Sequence, residues 1–508
     1  MARTPDDAPR LWLPPSSRNL IVSRRNMLQG IGAAIGAATV GCGGAGDDPG
    51  FKDGPGGGVI NPGSTGAGSN GSDSNGSGST GSGSVPDMCS GNGGLTPEEL
   101  LAPIDTIVIL CMENRSFDHY LGALSLEEKR AVDGLTGAEW NPDPKGIKVP
   151  VFHMTNLAVE SPPHDWDPVH QQWNMGKNDQ FVIASAGPHQ QEVMGYYTRT
   201  EIPTYYALSD AYTVCDRYFC SLLGPTWPNR FFLHGASSHG VTTNVPVVGF
   251  TSIFDQLDGA GVESRNYYGD VPWCTGAYGR LKGLSGIETF FEHAAAGTLP
   301  KVSIIDPTFF GQGANDDHPD HDVKLGEALI ASVYAALAAS PQWGRCLFVL
   351  TYDEHGGFFD HVPPPPTVDG DPAFAQLGFR VPTIVAGPFA RKGCVVSTQL
   401  EHVSILRTLA RRFKLPSLNA RVDATEDLSS CIDPKFLDNP QAATKLPRVR
   451  VPLKKVRASR PAGISQPEMW AAAESGRIPW QLDRRAHSLA IAERILAHGE
   501  RLGAIEIV

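Results

Sequence analysis

Met112-Glu113-Asn114-Arg115-Ser116-Phe117-Asp118-His119-Tyr120 follows an apolar run at 104–112, and Tyr352-Asp353-Glu354-His355-Gly356-Gly357 follows another at 346–352. Neither run alternates with polar residues, and both carry β-branched side chains, the pattern of strands buried on both faces of a parallel sheet. In an open α/β sheet, ligands bind on loops past the carboxyl ends of strands. Two carboxylate-rich loops are therefore expected to converge at one edge, although they lie far apart in the chain. Carboxylate and amide oxygens gathered in this way suit a hard divalent cation.

Working outward, Gly224-Pro225-Thr226-Trp227-Pro228-Asn229-Arg230 precedes the apolar stretch Phe231-Phe232-Leu233. Pro228 suits the first turn of a helix. Thr226 is then expected just before the helix N-terminus, where backbone N–H groups and the macrodipole favour an anion. A hydroxyl there, beside a cation, is placed to act as a nucleophile. Order is expected to begin at Thr96-Pro97-Glu98-Glu99, which reads as a capping box with proline at the first helical position. Strands are predicted at 302–305, ending on Asp306, at 346–352 and at 382–386. Helices are predicted from an Asp322 cap through Ala339, stopped by Pro341, and over 402–413. This alternation predicts an α/β fold with a mostly parallel central sheet flanked by helices.

These runs resemble the bacterial phosphoesterase family that contains phosphatidylcholine-hydrolysing phospholipases C and respiratory-burst-inhibiting acid phosphatases. The resemblance spans roughly 104–413 and includes His164-Asp165-Trp166 with His170, Met194-Gly195-Tyr196-Tyr197, Asp316-Asp317-His318-Pro319 and Glu401-His402-Val403-Ser404. It implies an alkaline-phosphatase-like fold and a covalent phospho-enzyme. Matched by motif, Glu113, Asn114, Asp353 and Glu354 look like ligands of one divalent metal ion, with Ca, Mg or Mn favoured over Zn. Thr226 looks like a nucleophile that also touches the metal. His164 and His318 look like phosphoryl-stabilising or proton-transferring groups, which the acids beside them would orient or keep protonated. The threonine favours the phospholipase branch, since the acid phosphatases tend to carry serine. The long phospholipases continue into two C-terminal β-domains, and a short form without them is expected here.

The substrate expected is a phospholipid or a small phosphate ester. An acid-phosphatase-type monoesterase is the nearest alternative, and a non-catalytic surface lipoprotein binding phosphorylated ligands is one of another class. A sulfatase relative is disfavoured, because Thr226 lacks a modification motif. Trp166, Trp227, Tyr267, Tyr268 and Trp273 are read as packing before any cation-binding cage for a headgroup.

The 508 residues carry a formal net charge of −12, which argues against a nucleic-acid partner. Residues 1–42 read as a twin-arginine export signal around Arg24-Arg25, with a short Ala/Gly-rich apolar region at 31–40. Cys42 follows Thr39-Val40-Gly41, an imperfect lipobox, so lipidation and membrane association through Cys42 are expected. Residues 43–94 are Gly/Ser-rich and predict a disordered linker, with an r.m.s. span of about 40 Å for a flexible coil of this kind. The catalytic domain is expected over 95–440, in a periplasmic, surface-anchored or secreted protein. The extension at 441–508 includes 445–460, with seven Lys/Arg and no acid, and an amphipathic helix at 486–498. It is read as packing on or near the domain. Among nine cysteines there is no Cys-x-x-Cys pair, so a thiolate metal site is disfavoured. Cys215 and Cys220 lie close enough in sequence to pair, and Cys111 reads as a core residue.

Overall fold

The computed structural model describes residues 89, 91–185, 187–458, 465–476 and 486–508. The signal, Cys42 and nearly all of the linker lie outside these residues. Helix α1 (Pro97–Leu101) is the first helix among the described residues. Thr96 accepts from the Glu99 amide and the Glu99 carboxylate from the Thr96 amide, the reciprocal cap that the sequence predicts.

Eight strands form one sheet. They are β1 (Thr106–Met112), β2 (Thr213–Cys215), β3 (Ser264–Tyr268), β4 (Leu284–Gly286), β5 (Val302–Asp306), β6 (Cys346–Tyr352), β7 (Ile384–Ala386) and β8 (Val395–Val396), in the order β8-β2-β7-β6-β1-β5-β3-β4. Every pairing is parallel except those of β7, which runs against both β6 and β2. The α/β fold with a mostly parallel sheet is thus present, with one reversed strand inside it. β1 and β6 lie at the centre, buried at every position, which is why neither alternates. Each fully buried Val, Leu or Ile there contributes ~1.5–3 kcal/mol relative to exposure.

Helices cover the sheet. α2 (Phe117–Leu121) follows β1 and is capped by Ser116, whose Oγ accepts from the His119 amide. α3 (Thr226–Gly235) is wholly buried. α4 (Val323–Ala338) starts on its Asp322 cap as predicted, and α5 (His402–Phe413) has the predicted bounds. α6 (Pro467–Glu474) and α7 (Ala486–Arg501) come from the C-terminal segment. There β9 (Val449–Val451) pairs in parallel with β10 (Ile505–Ile507). Val449, Val451, Leu496 and Ile505 pack with Leu325, Ala328 and Ala331 of α4. Among the described residues no helix is long and apolar enough to cross a membrane.

One disulfide links Cys89 to Cys394, 305 positions apart. Cys215 does not meet Cys220: its Sγ lies 3.6 Å from that of Cys431, while Cys220 turns to the Leu222 carbonyl. Cys111 is fully buried in β1, as expected of a core residue.

Candidate active site

Met112 of β1 pairs with Tyr352 of β6, so the two carboxylate loops leave the sheet side by side. The Asp353 amide donates to the Met112 carbonyl at 3.1 Å. The Asn114 amide donates to Asp353 Oδ1 at 3.1 Å. Asn114 has a φ of 62°, a left-handed conformation that asparagine tolerates better than most residues. Gly356 presses onto it: at a φ of 66°, a Cβ there would lie 2.1 Å from the Asn114 carbonyl oxygen. On the other side of β1, β5 ends on Asp306, and the Glu113 amide donates to the Asp316 carbonyl at 2.8 Å.

α3 begins at this same edge. Thr226 is its first helical residue, so the helix starts one place earlier than predicted, because Pro225 already takes the extended capping position. Thr226 Oγ1 lies 3.4 Å from Asn114 Oδ1, at the long limit of a hydrogen bond. The expected array of free amides for an anion is thinner than predicted. The Trp227 N–H donates to Asn244 Oδ1 at 2.9 Å, and Pro228 has no N–H.

One turn along, on the face of Thr226, stands Arg230. Its Nε is 2.9 Å from Asp353 Oδ2, Nη2 3.2 Å from Glu113 Oε1 and Nη1 3.6 Å from Asp306 Oδ1, all on fully buried side chains. Sequence reasoning passed over Arg230; its spacing of four from Thr226 was the available signal.

Burial pushes the carboxyls of Glu113, Asp306 and Asp353 above the usual carboxylate range even with Arg230 among them. Burial lifts Glu354 to about 8, against the pull of nearby His164. Glu113 Oε2, Asp306 Oδ1 and Glu354 Oε1 are buried with no hydrogen-bond donor. Three buried acids face one guanidinium and a fourth, Glu354, stands beside them without one, so negative charge remains to be balanced and carboxylate oxygens remain without donors. The donor set Glu113, Asn114, Thr226, Asp353 and Glu354 fits a hard divalent cation on these grounds.

Both histidines stand at this edge. His164 Nδ1–H donates to the Pro162 carbonyl at 2.7 Å, which leaves Nε2 to accept from Asn114 Nδ2 at 3.1 Å. The same Nε2 is 4.0 Å from Glu354 Oε1. His318 Nδ1–H donates to the Pro319 carbonyl at 2.6 Å, and its ring lies 5.6 Å from that of His164. Burial, helped by His164, pushes His318 down to about 3, so it is neutral. Of the two roles expected of the nearby acids, orienting the imidazole or keeping it protonated, burial disfavours the second for His318. Asp316 pairs instead with His321 Nδ1, a residue that sequence reasoning missed.

His119, His170 and His402 each donate to a backbone carbonyl at 2.7 Å, of Gly195, Trp166 and Asp353 respectively, and His355 donates to Gln172 Oε1 at 2.8 Å. The edge thus gathers Glu113, Asn114, His164, Thr226, His318, Asp353 and Glu354.

Residues 104–416 match the phosphoesterase family. The chain belongs to that family. Non-specific phospholipase C6 of Arabidopsis thaliana is 38% identical over 361 residues, covering 62% of this chain and 69% of that protein. Non-specific phospholipase C1 of the same plant is 36% identical over 63% of this chain and 69% of its own length. Phospholipase C B of Mycobacterium tuberculosis is 32% identical over 64% of this chain and 76% of its own. A protein of the alkaline phosphatase superfamily from Vibrio parahaemolyticus, 12% identical, overlays on 57% of this chain and 72% of that one at a TM-score of 0.31. That overlay is loose, and the fold class rests on the sheet itself. This phosphoesterase is accordingly a hydrolase acting on phosphate ester bonds.

A second acid–histidine group in the phosphoesterase, Asp118, Asp360 and His361, has ligand atoms within 4.8 Å of one another. Its charge is already balanced. Arg380 Nη2 lies 3.0 Å from Asp118 Oδ1 and Nε 2.9 Å from Asp360 Oδ1, so the group is a buried ion-pair network. Trp227, Tyr267 and Trp273 are fully buried. They pack as the sequence reading favoured, and Trp273 and Phe309 flank the Arg230 guanidinium at 5.9 and 5.5 Å.

Proposed function

We propose that this chain is a metal-dependent phosphoesterase of phospholipase C type, working through a phosphothreonine. The observation that carries the reading is the Thr226 hydroxyl beside Asn114, in a nest of four buried acids of which a single arginine meets three. Glu113, Asn114, Thr226, Asp353 and Glu354 would hold one divalent cation, with Ca, Mg or Mn favoured by the all-oxygen donor set. When bound, such an ion supplies Lewis-acid polarisation of the phosphoryl group and lowers the pKa of a nearby hydroxyl.

Thr226 Oγ attacks phosphorus, and the Oγ–P bond forms as the bond to the leaving alcohol oxygen breaks. The threonine proton passes to solvent as the bond forms. His318, its Nδ1–H tied to the Pro319 carbonyl, or His164 protonates the leaving oxygen or braces the equatorial oxygens, so the alcohol departs neutral. His164, held by Pro162 and Asn114, faces the same space and braces the phosphoryl group. Water then cleaves the phosphothreonine and restores the hydroxyl. On a phospholipid the products are diacylglycerol and a phosphorylated headgroup, in keeping with the relatives named phospholipase C. On a monoester the product is phosphate.

Export by the twin-arginine route, with lipidation of Cys42, belongs to the same proposal. It is supported by Arg24-Arg25 and by the Cys89–Cys394 disulfide, a bond that persists in oxidising compartments.

The test is Thr226→Ala with rapid quench on labelled substrate. Turnover should fall by a factor on the order of 10³ or more, and label should be trapped on Thr226 in the parent protein. Near-parental turnover would exclude the nucleophile. A parallel assay on phosphatidylcholine and p-nitrophenyl phosphate, each with and without chelator, separates the diesterase from the monoesterase and tests the metal.

A further inference from the structure

The C-terminal segment beyond the family match reaches into the site. Gln466, 1% exposed, donates through its Nε2 to Glu113 Oε1 and accepts from Trp227 Nε1 at 2.6 Å. The residue before it, Ser465, directs its hydroxyl to Asp316 Oδ2 at 2.6 Å and the Phe309 carbonyl at 3.0 Å. Gln466 is the N-cap position of α6, and α6 is anchored in the core. Met469 and Trp470 join the cluster of Trp227, Phe231, Trp273, Phe309 and Phe310, with Trp470 edge-on to Phe310 at 5.1 Å.

A side-chain amide can donate to a carboxylate from its nitrogen and accept from an indole at its oxygen at the same time. Gln466 therefore ties the loop after β1 to the residue that follows Thr226. It also acts on one oxygen of Glu113 alone. Oε1 takes both Gln466 and Arg230, while Oε2 is buried with no donor. Fixing one oxygen sets the rotation of the carboxylate and leaves the other without a protein donor. Outer partners of this kind govern how well a ligand binds its metal.

We infer that Gln466 is a positioning residue that holds Glu113 in its ligand orientation and fixes it relative to Thr226. The C-terminal segment would then be part of the working site. This inference rests on the reading of Glu113 as a cation ligand.

The test uses the full chain, stripped with EDTA and titrated calorimetrically with Mn²⁺, Ca²⁺ and Mg²⁺ in turn. Gln466→Met keeps length and bulk but neither hydrogen bond; Gln466→Asn is one methylene too short to span both partners. Each should weaken affinity for the cation that binds the parent by ~10-fold or more. Thermal unfolding in EDTA reports any structural loss separately and should move little. Parental cation affinity in both variants overturns the inference and leaves the cation reading standing, even where the unfolding midpoint falls, since that pattern is packing alone. Failure of the parent chain to bind any of the three cations overturns both.

Discussion

Replacing Arg230 with methionine tests the electrostatics of the site directly. The guanidinium contacts Asp353, Glu113 and Asp306 at 2.9, 3.2 and 3.6 Å, all on fully buried side chains. Methionine preserves most of the apolar stem between Phe309 and Trp273 but leaves those acids without a counter-charge. Removing one partner of a buried ion pair costs ~3–5 kcal/mol, because the remaining charge is stranded in a poorly polarisable interior. The loss should carry a pH signature. Burial already holds Glu113 and Asp353 above the usual carboxylate range, and losing Arg230 raises them further. A carboxyl whose folded pKa lies above its unfolded value destabilises the fold increasingly as pH rises past the unfolded value. The penalty in Arg230→Met should therefore be larger at about pH 8 than at about pH 5, where protonation relieves it. A divalent cation should recover part of it by mass action on the folded state. Urea unfolding at the two pH values, with EDTA and with added cation, measures all of this. A loss below ~1 kcal/mol, or one equal at both pH values, would refute the assignment of Arg230 as the neutralising charge.

His361 should make the fold pH-sensitive in the opposite direction. Burial works against its imidazolium, but Asp118 at 2.7 Å outweighs that and lifts the group to about 9. Its folded value lies above the ordinary ~6.5, so the stabilisation is full below that pH and vanishes as pH rises through 9. His361→Gln should cost about 3 kcal/mol at most near pH 6 and little near pH 9.5, read by urea midpoints; a pH-independent cost would contradict this. Breaking Cys89–Cys394 with Cys394→Ser should lower stability by up to ~5–6 kcal/mol, from the closure of a 305-residue separation. Free thiols at both positions in the mature protein would show that the bond does not form. Arg24→Lys with Arg25→Lys should strand precursor in the cytoplasm, and mass spectrometry of the mature N-terminus should find a diacylglyceryl group on Cys42. Unimpaired export of the double variant would exclude the twin-arginine route.

β1, β6 and α5 were legible because each carries its own signal: unbroken apolar runs in the strands, apolar spacing in the helix. β7 was expected as a strand, yet its reversal was invisible, since three buried residues look the same in either direction. β2 and β8, three and two residues long, fall below the length at which alternation can be read. Glu113, Asn114, Asp353 and Glu354 stood out because carboxylates and an amide follow directly on apolar strands, while Thr226, His164 and His318 were singled out by their family motifs. Arg230 was missed because an arginine on a helix ordinarily faces water. His321 was missed because His318 stood nearer to the acids in sequence, while the turn at 317–320 brings His321 back to Asp316. Nothing local distinguished Gln466, or the pairing of Cys89 with Cys394; both depend on contacts across most of the chain.

The position of β1 governs what fragments of this protein can do. Its partners on either side, β5 and β6, begin at Val302 and Cys346, so the most apolar strand is synthesised long before either neighbour. Such distant pairing means slow folding and a long interval with bare strand edges. Any fragment that ends before Cys346 leaves seven residues that are wholly buried in the full fold, Thr106–Met112, with an open edge and no Asp353 to meet Asn114. Such a fragment should aggregate, and adding the missing part later should not rescue it. Neither half of this enzyme is a smaller enzyme.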